Sequence, residues 1–190
     1  MTLDEERQLI QKIKTDPQCF GIVFDHYYKP IFNYIFRRIT DYDISRDIAS
    51  ETFLKAFLNI NSFTWKGISI SSWLYRIATN EINYYFRKKK YTSSLENLLT
   101  NTDFDFFDSG KYLNERQLLE KELELHNEFL KVRKCVAELD IKYQEVIALR
   151  YFEKKSIKEV AAILDKKEGT VKSLLSRGTE MLKNLVNNAT

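Results

Sequence analysis

Apolar residues recur at three- and four-residue spacing along most of the chain, so the predicted elements are helices. The first runs from Leu3 to Lys14 on Leu3, Leu9, Ile10 and Ile13, and Asp16-Pro17 ends it. Phe20 to Ile39 is a second helical region with an aromatic stripe, Phe20, Phe24, Tyr27, Tyr28, Phe32, Tyr34 and Phe36, that reads as core. Pro30 lies inside it and is expected to kink or split it, because proline removes a hydrogen bond and crowds the preceding turn. Arg37 and Arg38 close it, where cations suit the helix dipole. A third helix, from about Asp43 to Asn59, has two unlike faces. Ala49, Phe53, Ala56, Phe57 and Ile60 form an apolar stripe, while Asp47, Glu51, Leu54, Lys55 and Leu58 lie opposite. Two bare leucines beside carboxylates imply either a partner that covers them or a helix buried on both sides.

The stretch Ser71 to Lys90 contains no Gly or Pro, begins with a Ser pair suited to capping and ends in basic residues, so it reads as one helix. Leu74, Ile77, Ala78, Ile82 and Tyr85 form its core stripe. Trp73, Arg76, Asn80, Asn83, Tyr84 and Arg87 form the other face, with Lys88 following. That face holds rings, amides and guanidinium groups and no carboxylate. Rings stack on bases, amides pair with base edges and guanidinium groups hold phosphates. A basic amphipathic surface helix is the plainer alternative. The loop before it, Asn61 to Ile70, carries Phe63, Trp65, Lys66 and Gly67. Its rings either stack on unpaired bases or fold back as a small satellite core.

Tyr91 to about Leu119 has a broken pattern rich in Thr, Ser, Asn and Asp, with an acidic run from Asp103 to Asp108, and reads as a linker. Helix returns from about Glu115 to Leu139, then from Tyr143 to Phe152. Ser156-Ile-Lys-Glu159 is a capping box that sets the start of a short helix bearing Ile157, Val160, Ala161 and Leu164. A break at Asp165-Lys166-Lys167 precedes a last helix from about Glu168 to Asn187. Its inner face is Val171, Leu175, Gly178, Leu182 and Leu185. Its outer face is Lys167, Thr170, Lys172, Ser173, Ser176, Arg177 and Glu180. A capped short helix, a tight turn and a helix with a basic, hydroxyl-rich face form a helix-turn-helix, with a plain helical hairpin as the alternative. The expectation is an all-α chain of two small helical domains joined by an acidic linker, with boundaries at 1–90, 91–114 and 115–190.

Composition agrees. Among 190 residues there are 5 Gly and 2 Pro, too few for the turns of a sandwich or barrel. The net charge of +3 hides a segregation: residues 1–70 are neutral, 71–90 carry +4, 91–130 carry −6 and 131–190 carry +5. Two basic blocks around an acidic segment suggest two polyanion-binding units and a linker that does not itself lie on DNA. Cys19 and Cys135 stand apart and read as reduced thiols of a cytoplasmic protein. The acidic start carries no signal peptide, and no stretch is long and apolar enough to span a bilayer. The pattern contains no phosphate loop, no nucleophile with its base and no metal-ligand cluster, and His26 and His126 are far apart. No catalytic residue, metal or cofactor is therefore expected, and the chain is not read as an enzyme.

Three segments carry a resemblance. Asp47-Ile-Ala-Ser-Glu-Thr-Phe-Leu-Lys-Ala56, Ser72-Trp-Leu-Tyr-Arg-Ile-Ala-Thr-Asn80, and Glu168-Gly-Thr-Val-Lys-Ser173 with Ser176-Arg177 resemble the bacterial sigma factors of the extracytoplasmic-function group, in that family's order and spacing. The resemblance implies a transcription initiation factor that binds core RNA polymerase, directs it to promoter elements centred near −10 and −35, and helps melt the DNA. It implies that Asp47, Glu51, Leu54, Lys55 and Leu58 dock on polymerase. Phe63, Trp65, Lys66, Trp73, Arg76, Asn80, Asn83, Tyr84, Arg87 and Lys88 would read the −10 element. Lys158, Lys167, Glu168, Thr170, Lys172, Ser173, Ser176 and Arg177 would read the −35 element. An anti-sigma protein is a further expected partner, from the resemblance alone. The chain departs from the family at the Asp-Lys-Lys turn, which usually holds Gly, at Leu174, usually basic, and at Gly178, usually Ala. Gly178 is expected to loosen its helix by about 0.5–1 kcal/mol. A freestanding helix-turn-helix regulator is the alternative function; it needs neither the two-faced third helix nor the Ser71–Lys90 face.

Overall fold

The computed structural model describes residues 1–39, 41–65, 67–93, 132 and 134–188. Helix α1 (Leu3–Thr15) opens with a capping box: the Thr2 hydroxyl accepts from the Glu5 N–H at 3.3 Å, and the Glu5 carboxylate accepts from the Thr2 N–H at 2.7 Å. One 3-10 turn, Pro17–Cys19, begins at the cap Asp16 and leads into α2 (Phe20–Ile39). The expected split at Pro30 does not occur, and α2 is assigned as a single helix across it. Pro30 and the preceding turn at His26 are exposed, so water can satisfy the carbonyl that proline leaves without a partner. Helix α3 (Tyr42–Asn59) starts where the Asp41 carboxylate accepts from the Ile44 N–H at 2.9 Å. A second 3-10 turn, Ile60–Ser62, and a loop lead to α4 (Ile70–Ser93).

In the second half, backbone is helical at 134–138, followed by α5 (Ile141–Ile147), which widens into a π turn at Ala148–Phe152. Helix α6 (Ile157–Leu164) begins at the expected capping box, with the Ser156 hydroxyl 3.2 Å from the Glu159 N–H and the Glu159 carboxylate 2.8 Å from the Ser156 N–H. Asp165 ends it with φ 54° and ψ 48°. The Asp-Lys-Lys turn thus takes up the left-handed conformation that glycine would usually supply, which aspartate tolerates. Helix α7 (Glu168–Asn188) completes the helix-turn-helix. Most of the expected linker, and the start of the helix expected from Glu115, fall at 94–131 and lie outside the described residues, as does Lys66.

Helices α2, α3 and α4 bury Ile31, Tyr34, Ile35, Ala49, Phe53, Leu74, Ala78 and Ile82 between them. Helices α5, α6 and α7 bury Val146, Leu149, Val160, Ile163 and Val171. The two cores join, because α4 also packs against α6. That contact corrects the expected stripe of α4: Tyr75 and Thr79 are buried, while Ile77 and Tyr85 are only half-buried. On α3, Phe57 leaves the expected apolar stripe. It is 41% exposed and meets Phe20 edge-on at 5.3 Å. Gly178, expected to loosen α7, is also a point of close approach. A Cβ there would lie 3.3 Å from Ile147 Cδ1 and from Tyr143 Cβ.

Candidate nucleic-acid interface

The Ser71–Ser72 pair does not cap α4; both residues are buried inside its first turn. The cap is built from elsewhere. Ser69 Oγ accepts from the Ser71 N–H at 3.1 Å. Glu6, from α1, accepts from the Ile70 N–H at 2.8 Å, from the Ser69 hydroxyl at 2.8 Å and from the Tyr27 hydroxyl. Burial pushes the Tyr27 hydroxyl well up, and the hydrogen bond to Glu6 adds to it, so Tyr27 donates its proton at ordinary pH. In the loop, Phe63 packs on Trp73 with ring centroids 4.8 Å apart, and Trp65 meets Phe63 edge-on at 6.5 Å. The rings are half-buried against α4, and Gly67, at φ 69°, turns the chain between them and the helix.

Beside this cluster lies a groove of about 680 Å³, lined among others by Lys55, Phe63, Trp73, Arg76, Asn80 and Asp165. Of the residues expected to read the −10 element, Phe63, Trp73, Arg76 and Asn80 meet here. Tyr84 is 58% exposed further along α4, and Arg87 and Lys88 are exposed too. Lys55 was expected on the docking face of α3, but its ammonium reaches the groove rim, 2.8 Å from Glu81 and 3.3 Å from Glu51. The hydrogen bond to Glu81 holds its pKa above the ordinary lysine value. Glu81 had no part in the sequence reading, and its place directly after Asn80 offered no signal of it.

The C-terminal helices close over part of this face. Arg76 pairs with Asp165 at 3.1 Å, and the Asn83 amide donates to Glu145 at 2.7 Å. The Tyr75 hydroxyl donates to Glu153 at 2.6 Å, and Arg37 pairs with the same carboxylate. Burial raises the Tyr75 pKa, and the Glu153 charge raises it further. Lys155 donates to the Ser71 hydroxyl at 2.9 Å with its ammonium 4.7 Å from the Tyr75 ring centre, and burial lowers its pKa despite three nearby carboxylates. Arg38 is buried with its guanidinium 3.9 Å from Glu145. Asn83 therefore faces the C-terminal helices and not the groove.

On α3, Leu54 is 51% and Leu58 67% exposed, so the helix is not buried on both sides. Asp47 is exposed and Glu51 half-buried on that face, and Ile22 and Phe24 of α2 are exposed as well. Lys167, just before α7, and Glu168, Thr170, Lys172, Ser173, Ser176 and Arg177 on it are all exposed, as is Lys158 on α6. Leu174 is half-buried and joins the core, so it replaces a surface cation with packing. Among the described residues no group of carboxylates, histidines or thiols is arranged to hold a metal ion, and no helix is long and apolar enough to cross a membrane.

An aromatic loop leading into a basic helix, followed by a helix-turn-helix, has a known counterpart. Residues 23–92 match the family model "Sigma-70 region 2", and residues 129–182 match "Sigma-70, region 4". The ECF RNA polymerase sigma factor SigW of Bacillus subtilis is 32% identical over 182 residues, covering 94% of each chain. RNA polymerase sigma factor YlaC of the same organism is 34% identical over 168 residues, covering 86% of this chain and 90% of its own. The fold matches CnrH, solved with the cytosolic domain of CnrY, at a TM-score of 0.68 and 19% identity, over 97% of this chain and 99% of that one. It matches RpoE of Bartonella quintana, solved with the anti-sigma factor NepR, at 0.68 and 20%, over 88% and 96%. The chain belongs to the sigma-70 family, in its extracytoplasmic-function group of RNA polymerase sigma factors.

Proposed function

We infer that this chain is an initiation subunit that binds core RNA polymerase, directs it to a promoter and supplies side chains for recognition and melting. Its own part is binding and positioning, and the chemistry of RNA synthesis stays with the polymerase. The observation that carries this reading is the open leucine face of α3. Leu54 and Leu58 stand in solvent beside Asp47 and Glu51, an apolar surface that a stable complex would cover. A freestanding regulator has no use for that face or for the region 2 match.

In this reading the loop from Phe63 and the outer face of α4 take unpaired bases of the −10 element, with rings stacking for about 1–3 kcal/mol each. The exposed face of α7 enters the major groove at −35, as the second helix of a helix-turn-helix does. An anti-sigma protein, such as the one bound to RpoE, is a fitting further partner for the same surfaces. Reconstitution with core polymerase tests the reading: the chain is expected to confer promoter-specific transcripts. Leu54→Asp is expected to abolish co-purification with core polymerase while leaving the helical signal and melting temperature intact. Equal co-purification of the variant and the parent would remove α3 as the docking face.

A further inference from the structure

Helix α1 precedes the stretch matched by the region 2 model, which begins at residue 23. It holds both ends of the loop that leads into α4. At the near end, Lys14 donates to the Phe63 carbonyl at 3.1 Å. At the far end, Glu6 accepts from the Ile70 N–H, the Ser69 hydroxyl and the Tyr27 hydroxyl. Glu6 is 2% exposed, and a carboxylate so buried persists only where donors surround it. It also sits at the N-terminus of a long helix, where the dipole favours negative charge. Ser71, in the same first turn, accepts from Lys155, in the loop that leads into α6.

We propose that Glu6 is a positioning residue for promoter opening: with Lys14 it fixes the loop bearing Phe63 and Trp65 and the first turn of α4, so that the rings are preset for unpaired bases. The proposal rests on the reading of that loop and of α4 as the −10 reader. Lys155 leaves this turn whenever the C-terminal helices move away to meet their own DNA element. Glu6 belongs to the same half of the chain as the loop and stays, so its contribution is greatest in the DNA-bound form.

The test uses the full chain with core polymerase and a promoter fragment, reading permanganate reactivity of thymines near −10 alongside polymerase affinity. The chain has 2 Trp, Trp65 and Trp73, both at this site, so intrinsic fluorescence and its quenching by acrylamide report on the loop directly. Glu6→Ala is expected to bind polymerase within about twofold of the parent but to open the promoter about fivefold less, the loss typical of removing a helix cap. Its tryptophans are expected to quench more readily. Glu6→Gln, which keeps an acceptor for the Ile70 N–H, is expected to recover most of the opening. Lys14→Ala, at the exposed end, is expected to show a smaller opening defect with unchanged polymerase affinity. Trp65→Ala separates the two layers: normal opening by that variant removes the loop as reader. If Trp65→Ala fails to open DNA while Glu6→Ala opens it as well as the parent does, the positioning role is overturned. Parallel loss of polymerase binding and opening in Glu6→Ala, with no rescue by Glu6→Gln and no opening defect in Lys14→Ala, overturns it equally, because α1 then only holds the fold together.

Discussion

Helices α4 and α7 are both long, and both carry cations and hydrogen-bonding side chains on their outer faces, yet the chain treats those faces differently. On α7, Lys172, Ser173, Ser176 and Arg177 stand in solvent, and no ion pair engages them among the described residues. On α4, Arg76 is paired with Asp165 and Asn83 with Glu145, while Tyr75 and Ser71 are tied to Glu153 and Lys155. The covering groups all come from the unit that contains α7. The C-terminal half of the chain thus closes over the outer face of α4. The closure is imperfect: among the described residues, Arg38 Nε and Nη2 and Asn83 Oδ1 are buried there without a hydrogen-bond partner. Each such atom costs about 1–3 kcal/mol of desolvation, which offsets part of what the pairs at this contact contribute. In the free chain the outer face of α7 is open, while the outer face of α4 is partly covered by the C-terminal helices.

The largest expected effect comes from Glu145→Ala. It leaves the Arg38 guanidinium buried beside no carboxylate and Asn83 without its acceptor. Breaking a buried pair costs about 3–5 kcal/mol, which the chain escapes by opening. The free variant is expected to bind single-stranded −10 oligonucleotide at least about tenfold more tightly, a gain of about 1.4 kcal/mol, with binding to −35 duplex unchanged. Unchanged single-strand binding would mean that the α4 face is already open in solution.

Arg177→Ala sharpens the other side of the comparison. A guanidinium that reads guanine in two places contributes about 1–3 kcal/mol of discrimination, so sequence preference is expected to relax at one or two positions of a −35 duplex library. Uniform weakening of every sequence would make Arg177 a backbone anchor and pass the reading role to Lys172 and Ser173. Lys158→Ala is expected to weaken all sequences alike and to lower the salt slope of duplex binding by about one. A slope equal to the parent's would take Lys158 off the phosphate backbone.

Asp165→Asn is the finest cut. It keeps a residue that tolerates the left-handed turn while removing the charge that engages Arg76. An exposed pair is worth about 0.2–1 kcal/mol, so single-strand binding is expected to rise only about twofold at low salt. That gain is expected to vanish at high salt. A loss of binding in place of a gain would show that Asp165 does not compete with DNA for Arg76.

Much of this fold was legible because local chemistry marks helix ends. The Ser156–Glu159 box, the Asp16-Pro17 stop and the basic end of α2 each appear where a side chain meets its own backbone within a few residues. What escaped reading depends on distant partners. Glu6 looked like one more acidic residue in a first turn, yet it caps a helix 64 positions away. Tyr75 and Thr79 fell off the predicted stripe because helical periodicity assigns one inward arc, whereas α4 is met on separate sides by α2, α3 and α6. Phe57 erred the other way: its spacing matched the core, but it stands at the edge of the α2–α3 contact. The residue types of the −10 face were visible in the sequence, and their engagement with Asp165 and Glu145 was not, since pairing across the two halves leaves no trace in local spacing.

Gly178 has a mechanical consequence. At its crossing with α5 a methyl group would lie 3.3 Å from Ile147 and Tyr143, a tight fit. Ten residues separate Gly178 from Glu168, so at a rise of about 1.5 Å per residue the crossing sits about 15 Å from the N-terminal tip of α7. The helix is a lever pivoting near its middle, and any displacement at the pivot is carried out to the tip as a change of approach angle. The smallest residue in the alphabet is therefore a gauge block: it sets the gap between two helices and, through that gap, the pitch at which the outer face of α7 is presented.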